Sequence, residues 1–271
     1  ILEKDLNILG QANLKVCVIA DKEQAFISAI LVDESPDGDQ ALITRGFFNL
    51  MHRDSDVHPK AVILNKEMRI EILMQGVSWK LAKGHKLLLH LGSTYWPVIW
   101  PSPEPVKLTF KEGTSILNLP IRINSRKQDS YIHFKDPESE VNKTYKTIEA
   151  GSIERDYNID MTTGLVTQRV YIDGGVFGPV GKIYFRETDT EFHDKSERTY
   201  SIHPNDPLTA EAEIKQSRSI KKGKLKIKLE TYSHQKSTKT HFILSAWCKC
   251  WENGKLFHSV DWDYKVPRKG M

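Results

Sequence analysis

The stretch Lys224-Leu-Lys-Ile-Lys-Leu-Glu-Thr-Tyr232 shows the pattern that decides the fold class of this chain. Leu225, Ile227 and Leu229 alternate with lysines, so the apolar side chains lie on one side of an extended strand and the lysines on the other. This period of two predicts a half-buried strand with one face in water.

The same pattern recurs along the chain. Alternation appears in residues 68–74, 87–91 and 256–264, and residues 25–33 are apolar on both sides, as in an inner strand. Turn sequences separate the runs, and they are Pro36-Asp37-Gly38, Lys83-Gly84, Met161-Thr-Thr-Gly164, Lys222-Gly223 and Glu252-Asn253-Gly254. Many short strands joined by turns predict an all-β, antiparallel jelly-roll sandwich with few short helices.

The chain is expected to form one domain over residues 1–271, because this length supports a sizeable core and the sequence shows no internal repeat. Residues 124–150 are polar and poor in large aliphatic side chains, which predicts a long surface loop or insertion. Residues 77–82 and 210–216 leave a short helix open as an alternative, although Ala210–Ile214 also alternates with period two.

Composition excludes several classes of protein. Lys and Arg number 39 and Asp and Glu 35, and the resulting charge of +4 predicts neither a nucleic-acid nor a membrane partner. The aliphatic runs are too short to span a bilayer. Three cysteines exclude a disulfide framework and favour a reducing, cytoplasmic location. Residues Ile1–Leu6 lack a basic stretch followed by an apolar one, so no signal peptide is expected at the start of this chain. Since the chain starts at Ile1 and not at Met, we interpret it as a fragment of a longer protein, with a processed product as the alternative.

The sequence offers no convincing catalytic residue. A serine hydrolase needs a Gly-x-Ser-x-Gly elbow, and the nearest stretch, Gly76-Val-Ser78-Trp-Lys80, lacks the second glycine. Ser-x-x-Lys occurs at Ser219/Lys222 and Ser233/Lys236, about as often as chance predicts, and the companion motifs are missing. We therefore assign no catalytic residue.

Metal and cofactor motifs are incomplete as well. Asp33–Asp39 imitates the start of a calcium loop, but position 12 is Thr44, where a bidentate Glu is required. Cys248 and Cys250 lie on one side of a strand without a second ligand pair for zinc. The glycine-rich stretch 174–181 matches no phosphate-binding motif. The sequence thus predicts no metal and no cofactor.

The unusual segment is Tyr95–Pro105, which holds four prolines and the aromatic residues Tyr95, Trp96 and Trp100. Prolines fix φ, so this loop is expected to be stiff and extended. Large flat side chains on a preorganised loop suit burial against another domain. Tyr95, Trp96 and Trp100 are therefore candidate interdomain docking residues, and the alternative is a loop that covers one end of its own sandwich.

Several segments, taken in order, resemble the C-terminal region of the X-Pro dipeptidyl-peptidase family, which includes cocaine esterase and related acyl hydrolases. The most specific ones are Gly84–Leu89, Ser93–Pro97 and Trp100–Val106. Weaker similarities cover nearly the whole chain, and they are Val32–Gly38, Arg45–Leu50, His52–Ser55, Leu119–Arg122, Asp206–Ala210 and Val266–Arg268.

The resemblance implies a galactose-binding-like jelly roll that packs on an α/β-hydrolase module carrying a Ser-Asp-His triad. All similar segments belong to the sandwich, so no catalytic residue carries over. The implied function is that of a non-catalytic C-terminal domain of a serine acyl hydrolase whose substrates are Xaa-Pro peptides, amino-acid esters or other acyl compounds. Two alternatives stay open: a free-standing carbohydrate-binding jelly roll, which tryptophans lying coplanar on one sheet face would favour, and a complete enzyme. A homo-oligomer is also left open.

Overall fold

Strands make up nearly all of the regular structure of the chain. The computed structural model describes residues 1–123, 131–138, 144–175 and 178–270. These residues contain strands β1–β18 and one short 3-10 helix, Leu50–His52. The strands pair in antiparallel fashion in four sheets. The predicted all-β, antiparallel class is confirmed.

Contacts divide the chain into two compact units. Unit 1 comprises Ile1–Pro137 and Lys269–Met271, and unit 2 comprises Glu138–Arg268. The sequence predicts one domain over residues 1–271, whereas the contacts in the structure define two compact units. Alternating strands indicate a sheet, but they do not reveal how many cores the strands share.

Unit 1 is built from three small sheets. One has the order β5-β2-β8, with β9 also paired to β2; a second has the order β4-β3-β7; and β1 pairs with β6. The strands of unit 1 are β1 Leu6–Gly10, β2 Asn13–Ala20, β3 Phe26–Glu34, β4 Gln40–Asn49, β5 Met68–Leu73, β6 Val77–Leu81, β7 Lys86–Gly92, β8 Leu108–Phe110 and β9 Ile116–Asn118.

Buried side chains from these sheets form one hydrophobic cluster. Leu14 and Val18 of β2 and Ile27 and Leu31 of β3 are fully buried in it. The expected inner strand over residues 25–33 is confirmed as β3, the middle strand of its sheet, which explains why both of its sides are apolar. Burying each such side chain contributes about 1.5–3 kcal/mol to stability.

Gly46 of β4 lies where β4 and β5 approach each other. A Cβ atom at this position would lie 2.8 Å from Ile72 Cγ2 and 3.2 Å from the Leu73 carbonyl oxygen. We expect Gly46→Ala to lower the free energy of unfolding by about 1–2 kcal/mol, because added atoms force neighbours apart in a packed interior. Gly76→Ala is the control, since its new Cβ would meet Gln11 Cγ at an ordinary 3.6 Å. Urea unfolding compares the two variants, and equal losses would contradict the steric explanation.

Unit 2 contains a single nine-stranded sheet. Strands β14 to β18 follow one another in both the chain and the sheet, while β12 and β13 pair with different parts of the long β14. The strands of unit 2 are β10 Tyr145–Glu149, β11 Ile153–Ile159, β12 Val166–Asp173, β13 Lys182–Phe185, β14 Thr190–His203, β15 Asp206–Lys222, β16 Leu225–Ser237, β17 His241–Glu252 and β18 Lys255–Pro267.

Two local expectations need correction. The segments left open as short helices are the strands β6 and β15, and β15 gains hydrogen-bond partners on both sides from β14 and β16. The predicted loop over residues 124–150 contains the strand β10, which pairs with β13 at the edge of the sheet. Main-chain hydrogen bonds hold β10 there although its side chains are exposed. Residues 124–130 and 139–143 of the predicted loop lie outside the described residues.

Candidate docking surface

The loop that carries the predicted docking residues links β7 to β8 in unit 1. At its base, the Ser93 hydroxyl donates a hydrogen bond of 2.9 Å to the carbonyl oxygen of Val106. The buried Ser28 hydroxyl of β3 lies 3.2 Å from the carbonyl oxygens of both Gly92 and Thr94. The Ser28 contacts fasten the start of the loop to β3, and the Ser93–Val106 hydrogen bond joins the two ends of the loop.

A second attachment lies just beyond the loop. The backbone N–H of Lys107 donates to Asp21 Oδ1 at 2.8 Å. This hydrogen bond favours the ionised carboxylate and lowers the pKa of Asp21 below its ordinary value. The negative charge thus strengthens the contact that holds the end of the loop.

Tyr95 is anchored on β4. Its ring lies 5.1 Å from that of Phe47, and the Arg45 guanidinium carbon lies 5.5 Å from the Tyr95 ring centre. Arg45 Nη1 also donates to the Tyr95 hydroxyl at 3.3 Å. Because side chains alternate along a strand, Arg45 and Phe47 share one face of β4 and form a shelf for Tyr95.

Trp96 and Trp100 contact each other. Their ring centres are 5.0 Å apart with an interplanar angle of 85°, the edge-to-face arrangement that aromatic pairs prefer. The following residues, 101–103, are buried, whereas both tryptophans are only half-buried. The loop therefore presents an aromatic pair that is only partly buried.

The structure thus brings together two of the three predicted docking residues. Trp96 and Trp100 form one pair, and Tyr95 instead packs on Arg45 and Phe47. The sequence did not predict that Arg45 and Phe47 contact the loop. Their i, i+2 spacing in a strand is the signal that could have placed them on one face, but nothing local indicates that this face meets the loop.

The serine candidates do not assemble a nucleophile and its base. Ser78 is exposed on β6, in register with Leu9 of β1. Ser219 and Lys222 both lie in β15, three positions apart, so they point to opposite faces of the sheet. The same spacing separates Ser233 from Lys236 in β16. Neither lysine can therefore activate the serine of its motif.

The calcium-like segment forms a hairpin between β3 and β4. Its first carboxylate, Asp33, is buried and already engaged: Trp79 Nε1 donates to it at 2.9 Å, and His85 Nδ1 lies 2.7 Å from its other oxygen. Asp33 thereby ties β3 to β6 and to the turn before β7. Its role in the described chain is structural.

The two cysteines proposed as metal candidates are neighbours, but they are only two ligands. Cys248 and Cys250 lie on one side of β17, opposite Thr231 and Leu229 of β16. Among residues 1–123, 131–138, 144–175 and 178–270, no group of three or more His, Cys, Asp or Glu residues is placed to hold a metal ion.

Within the same residues, no helix is long and apolar enough to cross a membrane.

Unit 2 has aromatic residues on one sheet face, as the carbohydrate-binding alternative requires. Trp247 stacks on Tyr232 with ring centres 5.9 Å apart and an interplanar angle of 17°. The Lys249 ammonium group lies 4.9 Å from the Trp247 ring centre, and the Lys228 ammonium group lies 5.3 Å from that of Trp251. Since lysines already lie over both indole rings, these tryptophans do not form an open platform for a sugar ring.

A groove on the same face is rich in lysines. It has a volume of about 680 Å³ and is lined by Lys182, Lys221, Lys228, Glu191 and Trp251, among others. Glu191 accepts hydrogen bonds from Lys221 and Lys182, and these contacts lower the pKa of its carboxyl. Some of the charged side chains that line the groove therefore pair with one another.

Residues 1–136 match the family model of the X-Pro dipeptidyl-peptidase C-terminal non-catalytic domain, and the chain belongs to this family. The match ends one residue before the end of the long segment of unit 1. The similarities that the sequence analysis finds in residues 206–210 and 266–268 lie outside it.

Solved structures show partial similarity. A selenomethionine-labelled α-amino acid ester hydrolase has a TM-score of 0.42 and 16% identity, covering 45% of this chain and 24% of its own. An aminopeptidase from a marine sediment Thaumarchaeota archaeon has a TM-score of 0.37 and 20% identity, covering 38% and 18%. A CocE/NonD family hydrolase from Staphylococcus aureus has a TM-score of 0.37 and 15% identity, covering 45% and 29%.

The chain spans less than a third of the length of each of these three proteins. Comparison with curated proteins finds no match. The family assignment therefore rests on residues 1–136.

Proposed function

We propose that this chain is the C-terminal, non-catalytic part of a serine acyl hydrolase and that unit 1 packs on the α/β-hydrolase module of that enzyme. The observation that carries the proposal is the family match over unit 1, because that family is described as the non-catalytic domain of X-Pro dipeptidyl-peptidase. The hydrolase module would form an acyl-enzyme on its serine, with a histidine as base. Its substrates would be Xaa-Pro peptides or esters.

Within this proposal, the Tyr95–Pro105 loop is the docking element. Hydrogen bonds at Ser28 and Ser93 hold its base, and Trp96 and Trp100 brace each other. A loop that is already rigid loses little conformational entropy when it docks. The half-exposed tryptophans supply apolar area of the kind that dominates interface energies.

The carbohydrate-binding alternative receives less support, because lysines lie over Trp247 and Trp251. A reducing compartment such as the cytoplasm belongs to the proposal, since Cys17, Cys248 and Cys250 are all free thiols.

Expression of the upstream hydrolase module and this chain as separate proteins tests the proposal. We expect the two to associate, and we expect ester or Xaa-Pro peptide turnover from the hydrolase module but not from this chain. Trp100→Ala should raise the Kd of association about thirtyfold, the equivalent of about 2 kcal/mol for a central tryptophan. Titration calorimetry measures the Kd.

Val57→Ala is the matched control, because Val57 is an apolar side chain of unit 1 that is 75% exposed and lies outside the loop. It should leave the Kd unchanged. A Trp100→Ala variant that loses much of its own stability but associates normally would show that the loop only covers its own core. Turnover by this chain alone would refute the non-catalytic role.

A further inference from the structure

Cys248 and Cys250 form a pair of thiols on one side of β17 in unit 2. Side chains alternate along a strand, so positions i and i+2 point to the same side. The strand is regular here, because Cys248 pairs with Thr231 and Cys250 with Leu229 without a shift in register. Partial burial and the nearby Cys250 thiol raise the pKa of the Cys248 thiol, as expected when a second thiol lies close to the first. The strand thus presents two neighbouring sulfur atoms.

The spacing of the two cysteines is too wide for a disulfide bond between them. Two positions along a strand separate the Cα atoms, and the Cβ atoms that point in the same direction, by roughly 6.6 Å. A disulfide requires Cβ atoms about 3.8 Å apart, so its closure would distort β17. Hydrogen bonds to β16 and β18 on both sides of β17 resist such a distortion. The two cysteines are accordingly free thiols.

The same spacing fits a metal ion held between the two sulfur atoms. A closed-shell metal ion bonds to thiolate sulfur at about 2.3 Å, so a linear sulfur–metal–sulfur unit spans about 4.6 Å. Rotation of the two side chains between ordinary rotamers can set the sulfur atoms at this separation while the backbone of β17 stays in place. An ion can therefore bridge the two thiols where a direct bond cannot.

A set of two thiolates selects among metal ions. Zinc requires four ligands, and among the described residues no third His, Cys, Asp or Glu completes a metal-binding group with the two cysteines. His258 of β18 lies opposite Cys250, yet it does not complete such a group. Thiolates are soft ligands and favour Cu(I). Cu(I) has a filled d shell and is satisfied by two ligands in a line, so the ligand set fits Cu(I) and not zinc.

The neighbouring side chains suit a soft, singly charged ion. Cys250 lies opposite Leu229 of β16, and Cys248 lies opposite Val260 of β18. These apolar neighbours offer no hard oxygen ligand that would compete with sulfur. Both cysteines are only partly buried. An ion needs just a narrow opening to reach them, so the site does not require an uncovered sheet face.

We propose that Cys248 and Cys250 bind one Cu(I) ion between their sulfur atoms. Each thiol releases its proton and donates a sulfur lone pair to the ion, so one Cu(I) replaces two protons and no electron is transferred. The bound unit of two thiolates and one Cu(I) carries a single negative charge. The proposal is independent of the proposed function, because both cysteines lie outside the family match over residues 1–136.

Anaerobic titration of the 271-residue chain with Cu(I), in competition with a coloured Cu(I) chelator such as bathocuproine disulfonate, gives the first test. We expect the chain to retain one Cu(I) ion, and we expect the X-ray absorption spectrum of the copper to show two sulfur neighbours. A chain that retains no copper, or a copper spectrum without two sulfur neighbours, would overturn the proposal.

Single variants locate the site. Cys248→Ser and Cys250→Ser each replace a soft thiolate by a hard hydroxyl, so we expect the Kd for Cu(I) to rise at least a hundredfold in either variant. Cys17→Ala is the matched control, because it removes the third thiol of the chain, which is buried in unit 1. It should keep one Cu(I) with an unchanged Kd. An unchanged Kd in either serine variant, or loss of binding in Cys17→Ala, would overturn the proposal. Circular dichroism verifies that all three variants are folded.

Thiol labelling separates a two-ligand site from a larger one. Cu(I) should protect Cys248 and Cys250 from a maleimide, and removal of the ion with excess chelator should restore their labelling. Zn(II) at the same concentration should leave both thiols reactive, because it lacks its further ligands. Equal labelling with and without Cu(I) would refute the site. Protection by Zn(II) as strong as that by Cu(I) would refute the two-ligand geometry.

Discussion

Leu31→Ala is expected to lower the free energy of unfolding of unit 1 by about 2–5 kcal/mol. Leu31 is fully buried in β3, the middle strand of its sheet, and its side chain belongs to the cluster that joins the sheets of unit 1. Truncation removes transfer free energy and leaves a cavity, because close-packed neighbours relax only partly. Urea unfolding, read from the transition of unit 1, measures the loss.

Leu42→Ala is the control for this prediction. Leu42 lies in the neighbouring strand β4, and its side chain is 47% exposed. The same truncation should therefore cost less than about 1 kcal/mol. Similar losses of unfolding free energy in the two variants would mean that the stability of unit 1 does not depend on the burial of Leu31.

The second large effect is expected for Asp33→Ala, which should cost about 3 kcal/mol. Asp33 is buried and accepts the indole N–H of Trp79 and the imidazole N–H of His85. Removing the carboxylate leaves two half-buried donors without this acceptor, and an unmade buried hydrogen bond costs more than a formed one contributes. The strand β6 and the turn before β7 would lose their link to β3.

Glu34→Ala is the matched control at the next position of β3. Glu34 binds Lys86 and Gln40 near the protein surface, where ion pairs contribute little to stability. Thermal unfolding compares the two variants. If both lose stability equally, the Asp33 contacts do not link the strands in the way proposed.

Much of the strand pattern could be predicted because it is local. Alternation in residues 224–232 corresponds to β16, apolar residues on both sides in 25–33 correspond to the inner strand β3, and Met161–Gly164 forms the turn of the β11–β12 hairpin. Period, apolar content and turn residues are properties of neighbouring residues, so they can be read without a partner strand.

The division into units could not be predicted in this way. Leu225, Ile227 and Leu229 would alternate with lysines identically in a closed sandwich and in an open sheet, because alternation specifies which side is apolar but not what covers it. The strand β10 was missed for a related reason. Its pairing with β13 depends on main-chain hydrogen bonds, and its side chains carry no apolar pattern.

The Tyr95–Pro105 loop shows the same limit. Its prolines and aromatic residues predicted a stiff loop with Tyr95, Trp96 and Trp100 as one set. The structure divides that set, because Tyr95 finds Arg45 and Phe47 on a strand about fifty positions earlier. Contacts across such distances depend on the tertiary fold, which no local pattern contains.

The strand order of each unit determines how far apart in the sequence its paired strands lie. This separation affects how quickly the strands can pair during folding. In unit 2, β14 to β18 are joined by short hairpins, so each strand finds its partner close by in the chain. In unit 1, β2 pairs with β9, and Lys15 meets Ile116 only after a long loop has closed. Closing long loops costs entropy before any contact forms, and chains rich in distant contacts fold slowly. When the unfolded chain is returned to native conditions, we therefore expect β14–β18 of unit 2 to pair before β2 pairs with β9, although unit 2 comes second in the sequence.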